Sequence, residues 1–404
     1  MSKTDDLSKK VEIMGDILDK EPELIVEYTD PLEGFKGWLA IDALSHNLCA
    51  GGFRVQKGLT RDCVVSLARN MTLKMRIAGI KADGAKSGID YDPHSAGKAG
   101  ALYRFIRSIR PFIMERYSMG PDLNVNLKEL DDIAKRLDIP SVKIAIAKAQ
   151  GFDLPYFLER YGLLKEAMDH ATVGKLRSGF GLAAACLGVL EFLGIPNEKA
   201  TVAIQGFGGL GSAAAYGLQR AGVKVVGIAD EEKSLICTNE HALDVKALVQ
   251  HSVNGLIPNG WKNSGEYADR SHILDVKCDV FIPAAIENAV VQDNAGTIST
   301  KAIVPGANLA ITEEAEKVLN DRGIITIPDF VAGCGGSMSM KALFGPKSHP
   351  TVPDLLDSLA EGMRGMVKKV LGRSQKDGTT PREAALDLCS EAPIYPDAKP
   401  YGPL

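Results

Sequence analysis

Between residues 201 and 230 the chain passes through a strand, a glycine turn, a helix, a second strand and an acid, and few folds accommodate that order. TVAIQ (Thr201–Gln205) is a short apolar run of the buried-strand kind. GFGGLG follows at once and opens an alanine-rich helical stretch, 212–221, after which KVVGIA leads into Asp230. In a Gly206-x-Gly208-x-x-Gly211 turn the first glycine makes the bend and the second lets backbone approach a pyrophosphate. The third packs helix on strand, and the helix N-terminus faces the phosphates. Gly206, Phe207, Gly208, Gly209, Leu210 and Gly211 are therefore the expected cofactor-binding turn, with NAD as the expected cofactor. Asp230 is expected to accept bonds from the adenosine ribose hydroxyls and to repel a 2′-phosphate. Lys233 nearby softens that preference, so NADP stays open.

Further apolar runs at 279–282, 302–304 and 324–327 alternate with helical patterns. That alternation argues a parallel, doubly wound sheet of the Rossmann type over residues 166–335. Ahead of it, 181–193 reads as a long apolar helix, 150–180 as a connection, and 254–275 as a polar surface loop. Residues 1–165 mix the two periods without alternation and read as a smaller α/β domain for substrate binding and assembly. Helices are expected there at 7–18, 97–117 and 126–137, with β-like runs in FKGWLAIDAL and CAGGFRVQ broken by Gly51-Gly52. Two closing helices, 352–371 and 381–389, are expected to carry residues 336–404 back onto the first domain. The fold class is thus α/β with two domains, in keeping with a chain of 404 residues.

A formal net charge of −4 with no basic block argues against nucleic acid and against a membrane surface as partners. No run of about 18 apolar residues occurs, and MSKTDDLSKK lacks a signal-peptide core, so a cytoplasmic location is expected. The seven cysteines (49, 63, 186, 237, 278, 334, 389) form no CxxC pair and no zinc spacing. Reduced thiols, and no metal, are the expectation.

The stretch MTLKMRIAGIKADGAKSGIDYDP (71–93) carries the lysines Lys74, in an apolar-periodic helical segment, and Lys86, in what reads as a glycine-flanked turn, DGAKSG. A lysine with backbone close on both sides loses solvation, and its pKa falls toward the range of a general base.

Taken in order, AGGFR (50–54), MTLK (71–74), GAKSGIDYDP (84–93), GPDLNVN (120–126), RSGFG (177–181), GFGGLG (206–211), PAA (283–285), PGAN (305–308) and PDFVAGCGGS (328–337) give the chain its likeness. It resembles the glutamate/leucine/phenylalanine/valine dehydrogenase superfamily over roughly residues 35–340. The resemblance implies reversible NAD(P)-dependent deamination of an L-α-amino acid to a 2-oxo acid and ammonia, in a cleft between the domains of a homo-oligomer, commonly a hexamer or octamer. Lys74 then matches the lysine that holds the substrate α-carboxylate, and Lys86 the lysine that activates water. Asp122 matches the carboxylate that moves a proton to and from the substrate nitrogen. Gly52 falls at the substrate, Asn308 near substrate amine and nicotinamide, and Ser178 and Ala284 at the cofactor.

Two departures bear on the substrate. Glutamate-specific members carry a lysine where this chain has Ala50 and a serine where it has Met340. An unpaired substrate carboxylate in such a pocket costs several kcal/mol in rough terms, so an apolar side chain is expected, unless Arg54 or Lys57 supplies the charge. Gly333-Cys334 replaces the usual Asn-Ala, and Asp83 lies close enough in sequence to pair with Lys86 and raise its pKa. Glutamate dehydrogenase proper, a biosynthetic relative using another nucleophile, and a catalytically silent NAD-binding subunit are the alternatives.

Overall fold

The computed structural model describes residues 20–237, 242–261 and 265–403, so the helix expected at 7–18 lies outside the described residues. Two compact units emerge. One comprises residues 1–160 with 344–348 and 386–404, and the other 161–343 with 349–385.

In the first unit the order is β1 (Leu24–Thr29), β2 (Lys36–Ile41), β3 (Cys49–Val55), α1 (Arg61–Ile77), β4 (Asp83–Ile89), α2 (Lys98–Ser108), β5 (Tyr117–Pro121) and α3 (Leu127–Arg136). The strands lie in the order β1-β2-β4-β3-β5, with β4, β3 and β5 mutually parallel. Strand alternation sorts the two faces. Leu39, Phe53, Ala85 and Ile89 form a core with Phe105 and Ile106 of α2. Ala40 packs instead with Val64 and Ala68 of α1. Ala50, Gly52 and Arg54 of β3 and Gly84, Lys86 and Gly88 of β4 share this α1 face by the same alternation.

Lys86 is therefore in the middle of a buried strand, where the sequence suggests a turn. The glycines serve close approach: a Cβ on Gly84 would stand 2.2 Å from the Ala68 carbonyl oxygen and the Thr72 nitrogen of α1. Gly51-Gly52 likewise does not break β3, because a Cβ on Gly51 would overlap the Ala85 carbonyl of the neighbouring strand at 1.5 Å. The helix expected over 97–117 stops at Ser108, Pro111 starts a short second helix, and Tyr117 already belongs to β5. The Gly120-Pro121-Asp122 segment is thus a strand end. Asn126 caps α3 in a box with Glu129, as the pattern from 126 suggests.

The second unit opens with a small hairpin, β6 (Ala167–Met168) and β7 (Ala171–Thr172), and then runs α4 (Val173–Phe192), β8 (Thr201–Gln205), α5 (Gly209–Arg220), β9 (Lys224–Ala229), β10 (Lys233–Ile236), β11 (Glu266–Asp269), β12 (Val280–Pro283), β13 (Ala302–Ile303), α6 (Glu313–Asp321), β14 (Ile325–Thr326), α7 (Gly335–Phe344), α8 (Val352–Asp377) and α9 (Pro381–Ser390). The sheet order is β11-β10-β9-β8-β12-β13-β14, parallel from β9 to β14. The chain leaves β8 to one side for β9 and resumes on the other with β12. A crevice opens at the carboxyl ends of such a switch.

Three expectations change here. The connection expected over 150–180 ends at Val173, since α4 begins eight residues before the first expected helical residue. Its glycines again mark close packing: Cβ atoms on Gly179 and Gly181 would meet Ala213 at 2.4 Å and Gly335 at 2.5 Å. By length and composition α4 is apolar enough to cross a membrane, yet most of it is buried in this unit. The supposed surface loop 254–275 contains the edge strand β11 and the fully buried Ile273. Finally, α8 packs on α4, where Gly188 admits the backbone of Arg364, so residues 349–385 belong to the second unit while 386–404 go with the first.

Candidate active site

The polar centre of the first unit lies on the α1 face of its sheet. Lys86 is 3% exposed. Its Nζ lies 2.7 Å from Asp122 Oδ2, just past the end of β5. Arg54 Nε donates to that same oxygen at 2.8 Å, and Arg54 Nη1 donates to Gln56 Oε1 at 3.0 Å. Gly52 has to be glycine because a Cβ there would stand 2.8 Å from Asp122 Cβ and 3.3 Å from Lys86 Nζ. Lys74, in the last turn of α1, is buried. Ala50 is buried on the same face of β3.

Burial pulls the Lys86 pKa below the ordinary lysine range; Asp122 opposes that pull, and the charges of Arg54 and Lys74 reinforce it. Burial works against charge on Asp122 as well, but Lys86 and Arg54 outweigh it and hold the carboxyl well below the usual carboxylate range. The site therefore sets a carboxylate held charged beside a lysine whose pKa burial lowers.

The pairing expected between Asp83 and Lys86 does not form. Three positions apart on one strand, they point to opposite faces. Asp83 instead accepts from the His46 backbone N–H at 2.7 Å and contacts His46 Nδ1 at 3.0 Å. Arg54 is committed to Asp122 and Gln56. Once β3 is seen to run unbroken through Gly51-Gly52, its two-residue period sets Arg54 on the face of Gly52.

In the second unit the glycine turn sits at the carboxyl end of β8. Gly206 has φ 104° and leaves no room for a side chain, since a Cβ would lie 2.9 Å from the Ala284 backbone. A Cβ on Gly211 would lie 1.9 Å from the Gly206 carbonyl oxygen. Beside Gly208 and Gly209, by contrast, the space is open, and α5 starts there with Gly208 at its N-cap. Phe207 is buried, and Leu210 and Ala284 close on Gly306 of the PGAN segment. Asn308 is half-buried there. Leu309 after it has φ 51°, the one residue other than Asn or Asp among the described non-glycine residues of positive φ. Its N–H donates to Asp329 Oδ2 at 3.0 Å and its carbonyl accepts from Asn288 N–H at 2.8 Å. Ser178 stands in the second turn of α4 against Gly335 and Gly336. Met340, on α7, is buried, and so is the Cys334 thiol just before that helix.

Asp230 ends β9 and is 8% exposed. Its Oδ1 accepts the N–H groups of Glu232 and Lys233 at 2.8 and 2.7 Å, and Oδ2 accepts Ile257 N–H at 2.6 Å. Asp230 thus ties the 231–233 turn to the loop at Ile257. Lys233 turns its ammonium to Asn259, over the Tyr267 ring. An open glycine backbone at a helix N-terminus next to an acid fits a dinucleotide.

Residues 175–391 match the family model described as Glutamate/Leucine/Phenylalanine/Valine dehydrogenase, and residues 22–138 match that described as Glu/Leu/Phe/Val dehydrogenase, dimerisation domain. The chain belongs to this dehydrogenase family. It is 29% identical to the NADP-specific glutamate dehydrogenase A1 of Halobacterium salinarum, over 82% of this chain and 79% of that one. With the NAD-specific glutamate dehydrogenase of Peptoniphilus asaccharolyticus it shares 28% identity, over 78% of this chain and 76% of the other. Its fold is that of the hetero-hexameric glutamate dehydrogenase from Thermus thermophilus (Leu bound form), at a TM-score of 0.76 and 21% identity, covering 95% and 94% of the two chains.

Proposed function

We propose that this dehydrogenase catalyses the reversible NAD(P)-dependent oxidative deamination of L-glutamate to 2-oxoglutarate and ammonia. The observation that carries the reaction type is the pair of the buried Lys86 with the half-buried Asp122, with the buried Lys74 nearby on α1. A lysine of lowered pKa takes a proton from water or from a substrate ammonium. The neighbouring carboxylate stays charged, steadies the protonated lysine and accepts a hydrogen bond from the substrate nitrogen, two groups whose environments push their pKa values apart. Lys74, a full charge on a stiff helix, binds the α-carboxylate. A bound nicotinamide supplies the hydride acceptor. Gly206–Gly211 would hold its pyrophosphate, Asp230 a ribose hydroxyl, and Ser178, Ala284 and Asn308 the nicotinamide end. The glutamate assignment rests on the relatives, which include NAD-specific and NADP-specific glutamate dehydrogenases.

A second reading, an apolar amino acid, is favoured by Ala50 and Met340, which are buried and put no polar group where glutamate-specific members have lysine and serine. Consumption of NADH and NADPH is the test, against 2-oxoglutarate and against branched and aromatic 2-oxo acids, each with and without ammonia. Preference for 2-oxoglutarate supports the first reading, and ammonia-dependent turnover of the apolar acids replaces it with the second. Silence with every acid removes both. Assembly through the segment matching the dimerisation domain is part of the proposal, and light scattering reads it as a multiple of 43.2 kDa.

A further inference from the structure

Two cations share one oxygen in the first unit: Lys86 Nζ and Arg54 Nε both bind Asp122 Oδ2. For Lys86 to act as a base it has to shed its proton, and Asp122 paired with that lysine alone would then be a largely buried anion with no counter-ion. Such a state is costly. Arg54 changes the balance because a guanidinium stays charged at any working pH. It is 4% exposed, carried on β3 rather than on a loop, and its second nitrogen is fixed by Gln56. The other groups facing Lys86 do not offer this. Lys74 of α1 is taken by the substrate α-carboxylate in the proposed reaction, β2 sets Ala40 opposite Lys86, and Asp42 beyond it accepts from Thr72 Oγ1 at 2.5 Å. Tyr117 of β5 lies in the core on the opposite face, where its hydroxyl is 2.9 Å from Ser87 Oγ and donates to the Gly52 carbonyl at 3.3 Å.

We propose that Arg54 is a positioning residue whose fixed guanidinium keeps Asp122 anionic and in place when Lys86 gives up its proton. This rests on the catalytic reading of Lys86 and deepens it.

The test is the pH profile of Lys86 acetylation by acetic anhydride, read by peptide mass spectrometry on the full-length protein, in wild type, Arg54→Gln and Arg54→Lys. Without Arg54 the lysine and the carboxylate bind each other alone, and Lys86 keeps its proton to higher pH. Acetylation in Arg54→Gln is expected to slow about tenfold near neutral pH, the change that a one-unit rise in pKa gives, and the acidic limb of kcat/KM to move up with it. Arg54→Lys retains the charge and is expected to restore most of both profiles. An unchanged Lys86 profile in a cooperatively melting Arg54→Gln protein overturns the proposal. If Arg54→Gln does not fold, Arg54→Lys decides: a profile displaced from wild type overturns the proposal, and one that coincides with it upholds it. Acetylation requires neither coenzyme nor turnover, so a wild type without dehydrogenase activity counts against the proposed reaction while the role of Arg54 is still decided.

Discussion

Lys86 is the residue on which the proposed chemistry turns. General base catalysis typically contributes about 10²–10⁴-fold, so Lys86→Ala is expected to lower kcat by about a thousandfold while leaving coenzyme affinity unchanged, as measured by steady-state kinetics and NADH fluorescence titration. The pH dependence has a definite sign. A base works once deprotonated, and burial lowers the Lys86 pKa. The acidic limb of kcat/KM therefore belongs below the ordinary lysine value of about 10.4, and a limb at or above that value would contradict the assignment. Leu309 is a different kind of case. A leucine in the left-handed region costs roughly 1–2 kcal/mol, and it directly follows Asn308 with both its backbone polar groups tied. Leu309→Gly relieves that strain and is expected to raise the thermal midpoint slightly, while activity falls because the turn holding Asn308 loosens. A lower midpoint would show that the leucine side chain contributes more than its backbone costs.

At the scale of elements, β4 is where sequence and structure part most. The second unit was legible because parallel strands buried on both faces read as unbroken apolar runs, as in TVAIQ and KVVGIA. DGAKSG has no such run. Its glycines look like turn signals, yet they serve close approach, Gly84 to the backbone of α1 and Gly88 to Leu59 and the Arg54 carbonyl, and such packing is a tertiary fact that no local pattern carries. Close approach of a different kind hid the continuity of β3 through Gly51-Gly52, where the Ala85 carbonyl of β4 and the Asp122 side chain leave no room for a Cβ. The candidate residues Lys74, Lys86 and Asp122 came from the family resemblance, and the structure brings Lys86 and Asp122 into contact, while Arg54 needed the strand frame that the glycines obscured. Gly84→Ala tests this account. Its Cβ would stand 2.2 Å from α1 backbone, which cannot swing aside as a side chain can. A loss of about 3 kcal/mol or more, beyond ordinary overpacking, is expected in urea unfolding, together with loss of activity. A tolerated alanine would mean that α1 is free to lift from the sheet. A second element-level anchor is the turn after β1, where Asp30 accepts Arg104 Nε at 2.6 Å. Burial opposes its charge, but Arg104 and the N–H groups of Glu33 and Leu32 prevail and bring its pKa down to about 2. The folded value lies below the unfolded one of about 3.9, so this stabilisation is complete above that pH and vanishes as pH falls through about 2. Asp30→Asn is expected to flatten the acid-unfolding curve in that window.

For the molecule as a whole, the proposed labour divides along the two units. The groups for acid–base chemistry and for the substrate α-carboxylate all lie in residues 1–160, and the glycine turn with Asp230 lies in 161–343. Ligands bind the folded state and stabilise it by mass action, and local stability rises first where the contacts form. Coenzyme alone is therefore expected to slow amide hydrogen exchange around 206–211, 230–233 and 255–257. The last segment joins them because Ile257 N–H is held by Asp230 and a Cβ on Gly255 would approach Gly208 to 3.0 Å. A 2-oxo acid added afterwards is expected to protect β3, β4 and the end of α1. Asp230→Ala removes the acceptor of three backbone N–H groups, so it should abolish the coenzyme effect at 255–257 and weaken NADH binding by about tenfold, the equivalent of about 1.4 kcal/mol. Exchange in β4 of that variant should match wild type before any ligand is added. If coenzyme alone protected β4 as strongly as 206–211, the two units would be one thermodynamic body, and single-site substitutions could not separate coenzyme binding from chemistry.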